Sequence, residues 1–426
     1  MYLADRSAPQ EPQSPPETAS AAAVGGPRGV LRAVSPTVLA LGTVSLVTDV
    51  SSEMVGAVLP LYLVMGLGLS PLGFGMLDGV QNGVSALVQL TGGHLADRVR
   101  NHKLVAGIGY GLSALVKPLL LVHHLGALGA ALALDRTGKG LRTAPRDALI
   151  SLSAPPERQG RAFGLHRAMD TTGALLGPMA AFLILGVAAG GYDAVFAVSG
   201  CVAALGVLVL LLFVPSGRNA AEPVPSGQPK VDLRAAFGLL RTRRLRVLFG
   251  CAVLLGLTTV SDAFLYLLMQ RRTGLDEQLF PLLPLGTATV FLLLALPAGR
   301  LADRVGRRAV FLAGHAGLLL AYGLLLWAPA TPALPYLVLA LHGAFYAATD
   351  GVLPAAVAAV VPERLRASGI ALVGTGQALA RFCCSLAFGA AWSTWGDGPA
   401  LATAAAGLAC CAAVAGVALR PSGDPR

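Results

Sequence analysis

Six charged side chains lie within thirteen residues of an otherwise apolar part of the chain, in the segment DRTGKGLRTAPRD at positions 135–147. Four of them share one face of a helix, because they follow one another at i, i+4, i+7 and i+11: Asp135, Lys139, Arg142 and Arg146. A charged side chain near the centre of a lipid bilayer costs about 2.5–3.5 kcal/mol. The segment therefore predicts a membrane helix whose charged face borders protein or a water-filled cavity.

Acidic side chains in the same half of the chain offer partners for this face. Asp49 and Glu53 lie one helical turn apart, and Asp78 and Asp170 lie in two further apolar segments. One hypothesis is a structural network of ion pairs, since buried charges are tolerated when they are paired. The other is that Asp49, Glu53 or Asp170 takes up and releases protons, because separating a buried carboxylate from a neighbouring cation changes its affinity for a proton.

The composition places these charges in a membrane protein. Of 426 residues, 55% are hydrophobic and only 13% are charged, whereas about 25% of residues are charged in soluble domains. Apolar segments of about 20 residues, long enough to cross the hydrocarbon core as helices, recur along the chain. We count twelve such spans, at 37–64, 72–95, 104–122, 125–150, 161–187, 193–214, 245–270, 278–300, 309–327, 334–360, 367–392 and 398–419.

The basic residues of the loops predict the orientation of these spans. Arginine and lysine crowd the loops on one side, while the opposite loops hold little beyond Arg271 and Arg272. By the positive-inside rule, both termini and the central linker are predicted to be cytoplasmic, in a multi-pass protein of the cell (plasma or inner) membrane. The net charge of +10 is explained by this asymmetry, so it does not indicate a nucleic-acid partner.

The same pattern predicts five regions. They are a disordered N-terminal tail (1–35), a first helical bundle (36–214), a Pro/Gly/Ser-rich linker (215–244), a second helical bundle (245–420) and a short tail (421–426). An internal repeat supports the division, since GHLADRV at 93–99 returns as GRLADRV at 299–305, and PER at 156–158 returns at 362–364 with the same offset. Two copies in one orientation predict parallel halves with a substrate site between them near the membrane midplane.

The repeated loop resembles that of the major facilitator superfamily, and the resemblance covers about residues 37–419. The signature GxLaDRxGRR stands intact at 299–308, and its ending is altered in the first copy. The resemblance implies an all-α fold of twelve transmembrane helices in two six-helix bundles. It also implies a conformational latch formed by Gly93, Asp97, Arg98, Gly299, Asp303, Arg304, Arg307 and Arg308. The alternative is that the arginines only anchor the loops at the membrane surface.

Two further motifs extend the resemblance. RTGKG at 136–140 resembles the RxxxG element of the superfamily, which implies that Arg136 takes part in proton coupling. Gly173, Gly177 and Pro178 resemble the antiporter signature GxxxGPxxGG, although alanines replace its final glycines. This second motif favours efflux, while ordinary close packing of helices explains the glycines almost as well.

The polar residues of the spans predict the substrate pathway. The candidates are Asp78, Asn82, Lys139, Arg142, Arg167, Asp262 and Asp350. Because most of the charges lie in the first half, the second half is predicted to supply mainly an apolar wall, with Tyr266 and Tyr346 among the aromatic residues that could line it.

The leading hypothesis is a proton-coupled, alternating-access exporter of a small organic molecule. The alternative is an importer or facilitator of an anionic solute held by the arginines and Lys139, and a non-transporting membrane sensor is a third reading. An enzyme is not indicated, because no nucleophile–base arrangement, metal cluster or phosphate-binding loop is present in the sequence. We expect no cofactor and no metal, the proton gradient as energy source, and protons, a small solute and the lipid bilayer as the partners of a monomer.

Overall fold

The computed structural model describes residues 35–81, 83–84, 88, 101–122, 124–155, 159–188, 190–215, 238–362 and 365–419. These residues are mostly helical and include no strand, which confirms the predicted helical class. Several predictions fall outside the described residues: Asn82, Gly93, Asp97, Arg98, both terminal tails and most of the linker.

The first half of the chain forms helices around α1 (Pro36–Leu61), which a π-helical turn extends to Gly66. The others are α2 (71–81), α3 (His102–Val116, continued by a 3₁₀ turn at Lys117–Leu121), α4 (Leu125–Leu152), α5 (Gln159–Val187) and α6 (Tyr192–Phe213). Helix α1 packs along α5 and α6, and α4 packs against α3. The charged face of α4 is therefore turned towards neighbouring helices rather than towards lipid.

The second half contains eight described α-helices. They are α7 (Arg243–Gly256), α8 (Asp262–Thr273), α9 (Leu282–Val305), α10 (Arg307–Trp327), α11 (Leu334–Thr349), α12 (Val352–Ala358), α13 (Arg366–Trp395) and α14 (Asp397–Ala418). Helix α11 packs between α9 and α10, and α13 packs against α7 and α14.

Nine helical segments in the described part of the chain are long and apolar enough to cross a membrane. The predicted span 72–95 is described only in part, and α4 carries too many charges to be counted by hydropathy. The predicted span 245–270 is interrupted, because the helix breaks between α7 and α8. At this break the Val260 N–H donates to the Tyr322 hydroxyl (2.8 Å), which satisfies a backbone group that the helix leaves free.

Close packing of α5 on α1 depends on two glycines. A Cβ atom at Gly177 would lie 2.7 Å from the Glu53 Cβ atom and 2.9 Å from the Met54 backbone nitrogen. At Gly173 it would collide with the Leu46 backbone carbonyl. The glycines of the predicted helix-packing motif therefore let two helix backbones approach closely.

We expect the substitution Gly177→Ala to destabilise the protein by about 1–3 kcal/mol, because the added methyl group overpacks this contact. Gly164→Ala in the same helix is the matched control, since nothing lies within 4 Å of a Cβ atom there. The control should be neutral or stabilising, because alanine favours a helix by about 1 kcal/mol relative to glycine. Thermal unfolding of both purified variants in detergent measures the difference. Equal stability would contradict the proposed tight contact.

The two halves meet at one end of the molecule, where α2 begins and α13 ends. A Cβ atom at Gly75 would lie 2.5 Å from the Ser385 carbonyl oxygen, and one at Gly389 would lie 2.5 Å from that of Pro71. Nearby, the Leu72 N–H donates to the Ser393 hydroxyl (2.9 Å). We call this contact the α2–α13 closure, and small residues make it possible.

Aromatic side chains fill the space beneath the α2–α13 closure. The Phe74 ring of the first half lies edge-on to the Phe264 ring of the second, with centroids 4.8 Å apart. Phe388 and Trp392 pack against Phe264 from α13. The Tyr192 hydroxyl also donates to Glu277 across the halves (2.9 Å). Direct contacts thus hold the halves together at this end.

Candidate functional site

The charged face of α4 is matched by residues from three other segments. The predicted ion-pair network is present as a ladder of four contacts: Lys117–Asp135 (3.2 Å), Lys139–Glu53 (3.6 Å), Arg142–Asp49 (3.6 Å) and Arg146–Asp170 (3.5 Å). Its members come from α1, α4, α5 and the turn after α3, as the helical spacing of the α4 charges requires. Opposite charges arranged in this way neutralise one another.

Asp49 and Asp170 each face an arginine of α4, Arg142 or Arg146. The Asp49 side chain is 11% exposed and the Asp170 side chain is 18% exposed, so both carboxylates lie largely out of contact with water. Arg142 is held in place by the Tyr110 ring, whose centroid lies 4.6 Å from its guanidinium carbon.

Arg167 and Asp147 lie away from the centre of the ladder. The Arg167 side chain is 78% exposed and contacts Asp170 as its i+3 neighbour (3.5 Å). Asp147 pairs with the adjacent Arg146 (3.0 Å). The assignment of Arg167 to the substrate pathway stays a prediction.

A cavity of about 440 Å³ lies between the two halves. The first half contributes polar side chains to its wall from α1, α2 and α4: Glu53, Asp78, Gln81 and Arg136. The second half contributes Thr259, Ser261, Asp262, Tyr266, Thr287, Tyr346, Asp350 and Arg381. The prediction that the second half supplies mainly an apolar wall is therefore wrong. The break between α7 and α8 in the second half lies directly at the cavity wall.

A hydrogen-bonded cluster fixes the polar groups of the second half. The Tyr346 hydroxyl donates to Asp262 Oδ1 (2.6 Å), and His342 Nε2 lies 3.3 Å from the same oxygen. The other ring nitrogen of His342 lies 3.4 Å from the Thr287 hydroxyl, to which the Tyr266 hydroxyl donates (2.9 Å). This network holds the Asp262 carboxylate at the cavity wall.

The structure divides the predicted site residues into groups. Those on the cavity wall are Glu53, Arg136, Asp78, Asp262 and Asp350. Those in the ladder beside it are Asp49, Lys139, Arg142 and Asp170. Gln81, His342 and Arg381 lie at or directly behind the wall, although their positions in the sequence did not indicate a role. A usable signal was present on α11, where His342, Tyr346 and Asp350 follow at i, i+4 and i+8.

The second copy of the loop signature connects α9 to α10. Gly306 has a positive φ of 100°, a conformation that favours glycine. Arg307 donates to the Ala355 carbonyl oxygen (2.9 Å) and Arg308 to that of Gly416, in the last turns of α12 and α14. Cations suit these positions, because a helix C-terminus carries partial negative charge. Gly299, Asp303 and Arg304 complete the copy, and the side chains of Asp303 and Arg304 are exposed.

Known proteins share both sequence and fold with this chain. The family model of the Major Facilitator Superfamily matches residues 41–291 and 263–426. An uncharacterized MFS-type transporter of Methanocaldococcus jannaschii is 30% identical over 371 residues, which are 85% of this chain and 89% of that protein. An uncharacterized protein of Mycobacterium tuberculosis is 34% identical over 176 residues, 41% of this chain and 40% of that protein.

Solved structures give the same result at the level of the fold. The nucleoside transporter NupG superposes with a TM-score of 0.77 at 14% identity, over 90% of this chain and all of that one. A POT family transporter in complex with a thioalcohol-conjugated peptide gives 0.73 at 14% identity, over 91% and 98%. These matches confirm the resemblance that the loop signature indicated. The chain belongs to the Major Facilitator Superfamily and is a multi-pass membrane transporter of small molecules, not an enzyme.

Proposed function

We propose that the protein exports a small organic molecule from the cytoplasm in exchange for protons. The observation that carries this proposal is the cavity between the halves, whose wall combines titratable groups of α1 and α4 with a polar cluster of the second half. A site between parallel halves suits alternating access, in which the halves rock around a bound solute.

Twelve membrane-spanning segments in two six-helix bundles are part of the proposal. The nine candidate spans would be completed by the segments containing α2, α4 and the α7–α8 pair. With both termini in the cytoplasm, the α2–α13 closure faces outwards, so the described conformation is closed on the exterior side. The loop signature lies on the cytoplasmic side, where its arginines tie α10 to α12 and α14. We propose a monomer in the cell membrane that needs no cofactor.

The ladder supports the proton-coupling role predicted for Asp49, Glu53, Arg136 and Asp170. Asp49 and Asp170 are largely buried carboxylates that each pair with an arginine, and Glu53, one turn along α1 from Asp49, lines the cavity. Because α1 contacts α8 and α9 of the other half, rocking of the halves would change the surroundings of Glu53. A change in the distance to Lys139 or Arg136 changes how tightly a carboxylate holds its proton.

The pairing of the basic residues weighs against the anion-import alternative. Lys139 and Arg142 each contact an acidic partner, and Arg167 is exposed. Arg136 lines the cavity, where its guanidinium donates to the Gln81 side chain (3.0 Å). The basic residues of α4 therefore do not form a common anion-binding surface.

Proteoliposomes that enclose a pH-sensitive dye test the exporter. Solutes from a chemically diverse panel are added on the side from which the protein takes up its solute. Transport of a substrate should then move protons across the membrane in the opposite direction, and the dye reports this movement. We expect Asp49→Asn and Glu53→Gln to abolish this solute-dependent proton flux, because each removes a group that the proton would occupy. Asp397→Asn, which changes a half-exposed carboxylate at the surface, should leave it unchanged. Normal flux in both interior variants would contradict coupling through the ladder.

A further inference from the structure

The cavity wall carries more negative than positive groups. Among the described lining residues there are four carboxylates and two guanidiniums, so that full ionisation gives a net charge of −2 (four negative, two positive). A cleft lined by an excess of one sign of charge attracts solutes of the opposite charge. The wall is therefore suited to a positively charged occupant.

When Lys139, the partner of Glu53, is counted with the wall, the first half is balanced (two negative, two positive), and the second half keeps an excess of −1 (two negative, one positive). Glu53 is already paired with Lys139 (3.6 Å), and Asp78 accepts a hydrogen bond from the Ser385 hydroxyl (2.6 Å). The remaining carboxylates belong to Asp262 and Asp350. Asp262 is the first residue of α8, and Asp350 directly follows α11.

Both of these carboxylates stand at interruptions of their helices. Asp262 is the first residue of α8, directly after the break that follows α7, and its side chain is 43% exposed. Asp350 lies between α11 and α12, with an exposed side chain. Interrupted membrane helices commonly form the solute site of secondary transporters, because their ends present groups that an intact helix would hide.

Among the described lining residues of the second half, Arg381 is the one cation, and it packs against an aromatic ring. The Arg381 guanidinium carbon lies 5.9 Å from the Tyr346 centroid, and its Nε atom is buried without a hydrogen-bond partner among the described residues. Arg381 can balance one of the two carboxylates. The second is then left for a solute, with Phe74, Phe291 and Tyr266 also on the wall. Aromatic faces attract organic cations by about 0.5–2 kcal/mol.

We propose that the transported solute is an organic cation, an amine or quaternary ammonium compound, whose positive charge is bound between Asp262 and Asp350. This inference rests on the transport function proposed above and adds the chemical class of the solute. The Tyr346 and His342 contacts orient the Asp262 carboxylate. The Asp350 carboxylate would approach the solute from the other helix interruption, between α11 and α12.

Binding of three probes that share one aromatic scaffold tests the proposal. Benzyltrimethylammonium, benzyl alcohol and benzoate differ in charge and have similar size, and each is added to the purified full-length protein in detergent at neutral pH. We expect benzyltrimethylammonium alone to raise the melting temperature in a saturable manner. Preferred binding of benzoate, or equal binding of all three probes, would overturn the proposal.

Variants locate the site. Asp350→Asn and Asp262→Asn should each weaken benzyltrimethylammonium binding by about tenfold or more, since each removes one of the two charges proposed to contact the ammonium group. Asp350→Glu should retain most of the affinity, and Asp397→Asn is the surface control. Asp350→Asn has little risk of unfolding the protein because the side chain is exposed. Undiminished binding in both asparagine variants would overturn the site.

The outcome is separable from that of the exporter test. Binding is measured without a proton gradient and without flux. Saturable binding of benzyltrimethylammonium, together with solute flux that is not accompanied by proton movement, would refute the proposed coupling and support this inference. Proton-coupled flux restricted to neutral or anionic solutes would support the coupling and refute this inference.

Discussion

Replacing Lys117 by methionine is expected to destabilise the protein by about 3–5 kcal/mol, the cost of leaving a buried charge without its partner. The Lys117 side chain is 2% exposed and its ammonium nitrogen lies 3.2 Å from Asp135 Oδ1, itself 14% exposed. In the variant, the Asp135 carboxylate would remain enclosed by α3 and α4 without its neutralising cation. Unfolding in mixed micelles of increasing denaturing detergent measures the change.

A double substitution separates charge pairing from packing. Lys117→Met combined with Asp135→Asn removes both charges and should recover much of the loss, because a neutral pair needs no counter-charge. Arg271 and Asp397 form the matched control, an exposed pair at 3.9 Å. Arg271→Met should cost at most about 1 kcal/mol. A single Lys117 variant as stable as this control would show that the interior pair does not contribute as the structure indicates.

The Lys117–Asp135 pair marks a limit of what the sequence could predict. The spacing of Asp135, Lys139, Arg142 and Arg146 defined a charged helix face that needs partners, because helical periodicity depends only on residues close together in the sequence. The identity of the partner of Asp135 depends instead on tertiary packing. Lys117 stands in a 3₁₀ turn after α3, and only the packing of α3 on α4 brings it to that carboxylate.

The second half shows the same limit more strongly. Its wall depends on the break between α7 and α8, yet residues 257–261 read LTTVS and hydropathy continues across them. The break is stabilised from another helix, by the Tyr322 hydroxyl that accepts the Val260 N–H. The charges of Asp262 and Asp350 were visible in the sequence. Their position on a common cavity with Arg381 required three helices to be placed together.

The loop signature was predictable as a motif but not in its contacts. The sequence indicated arginines at a membrane surface, and the structure shows two of them bound to backbone carbonyls at helix ends. Lys103, after the altered first copy, makes a similar contact with the Val214 carbonyl oxygen next to the end of α6. Both halves thus use a cation to bind the end of their last described helix. The altered ending of the first copy retains this interaction.

Joining Leu72 to Ser393 by a disulfide should abolish transport. The Leu72 N–H donates to the Ser393 hydroxyl (2.9 Å) across the α2–α13 closure, so cysteines at both positions are close enough to react. In alternating access the halves must separate at this end to release solute outside. A covalent bond between α2 and α13 prevents that separation, whatever the solute or its coupling ion.

The experiment replaces the six native cysteines and compares solute flux of Leu72→Cys/Ser393→Cys before oxidation, after oxidation and after reduction. Flux should be lost on oxidation and return on reduction. The single variants Leu72→Cys and Ser393→Cys are the controls, because the same oxidation cannot link the two halves when only one of the cysteines is present. Full flux through a protein shown by mass spectrometry to carry the Leu72–Ser393 link would mean that this end stays closed throughout the cycle. The solute would then need another exit, and rocking about the central cavity would no longer describe the transport cycle.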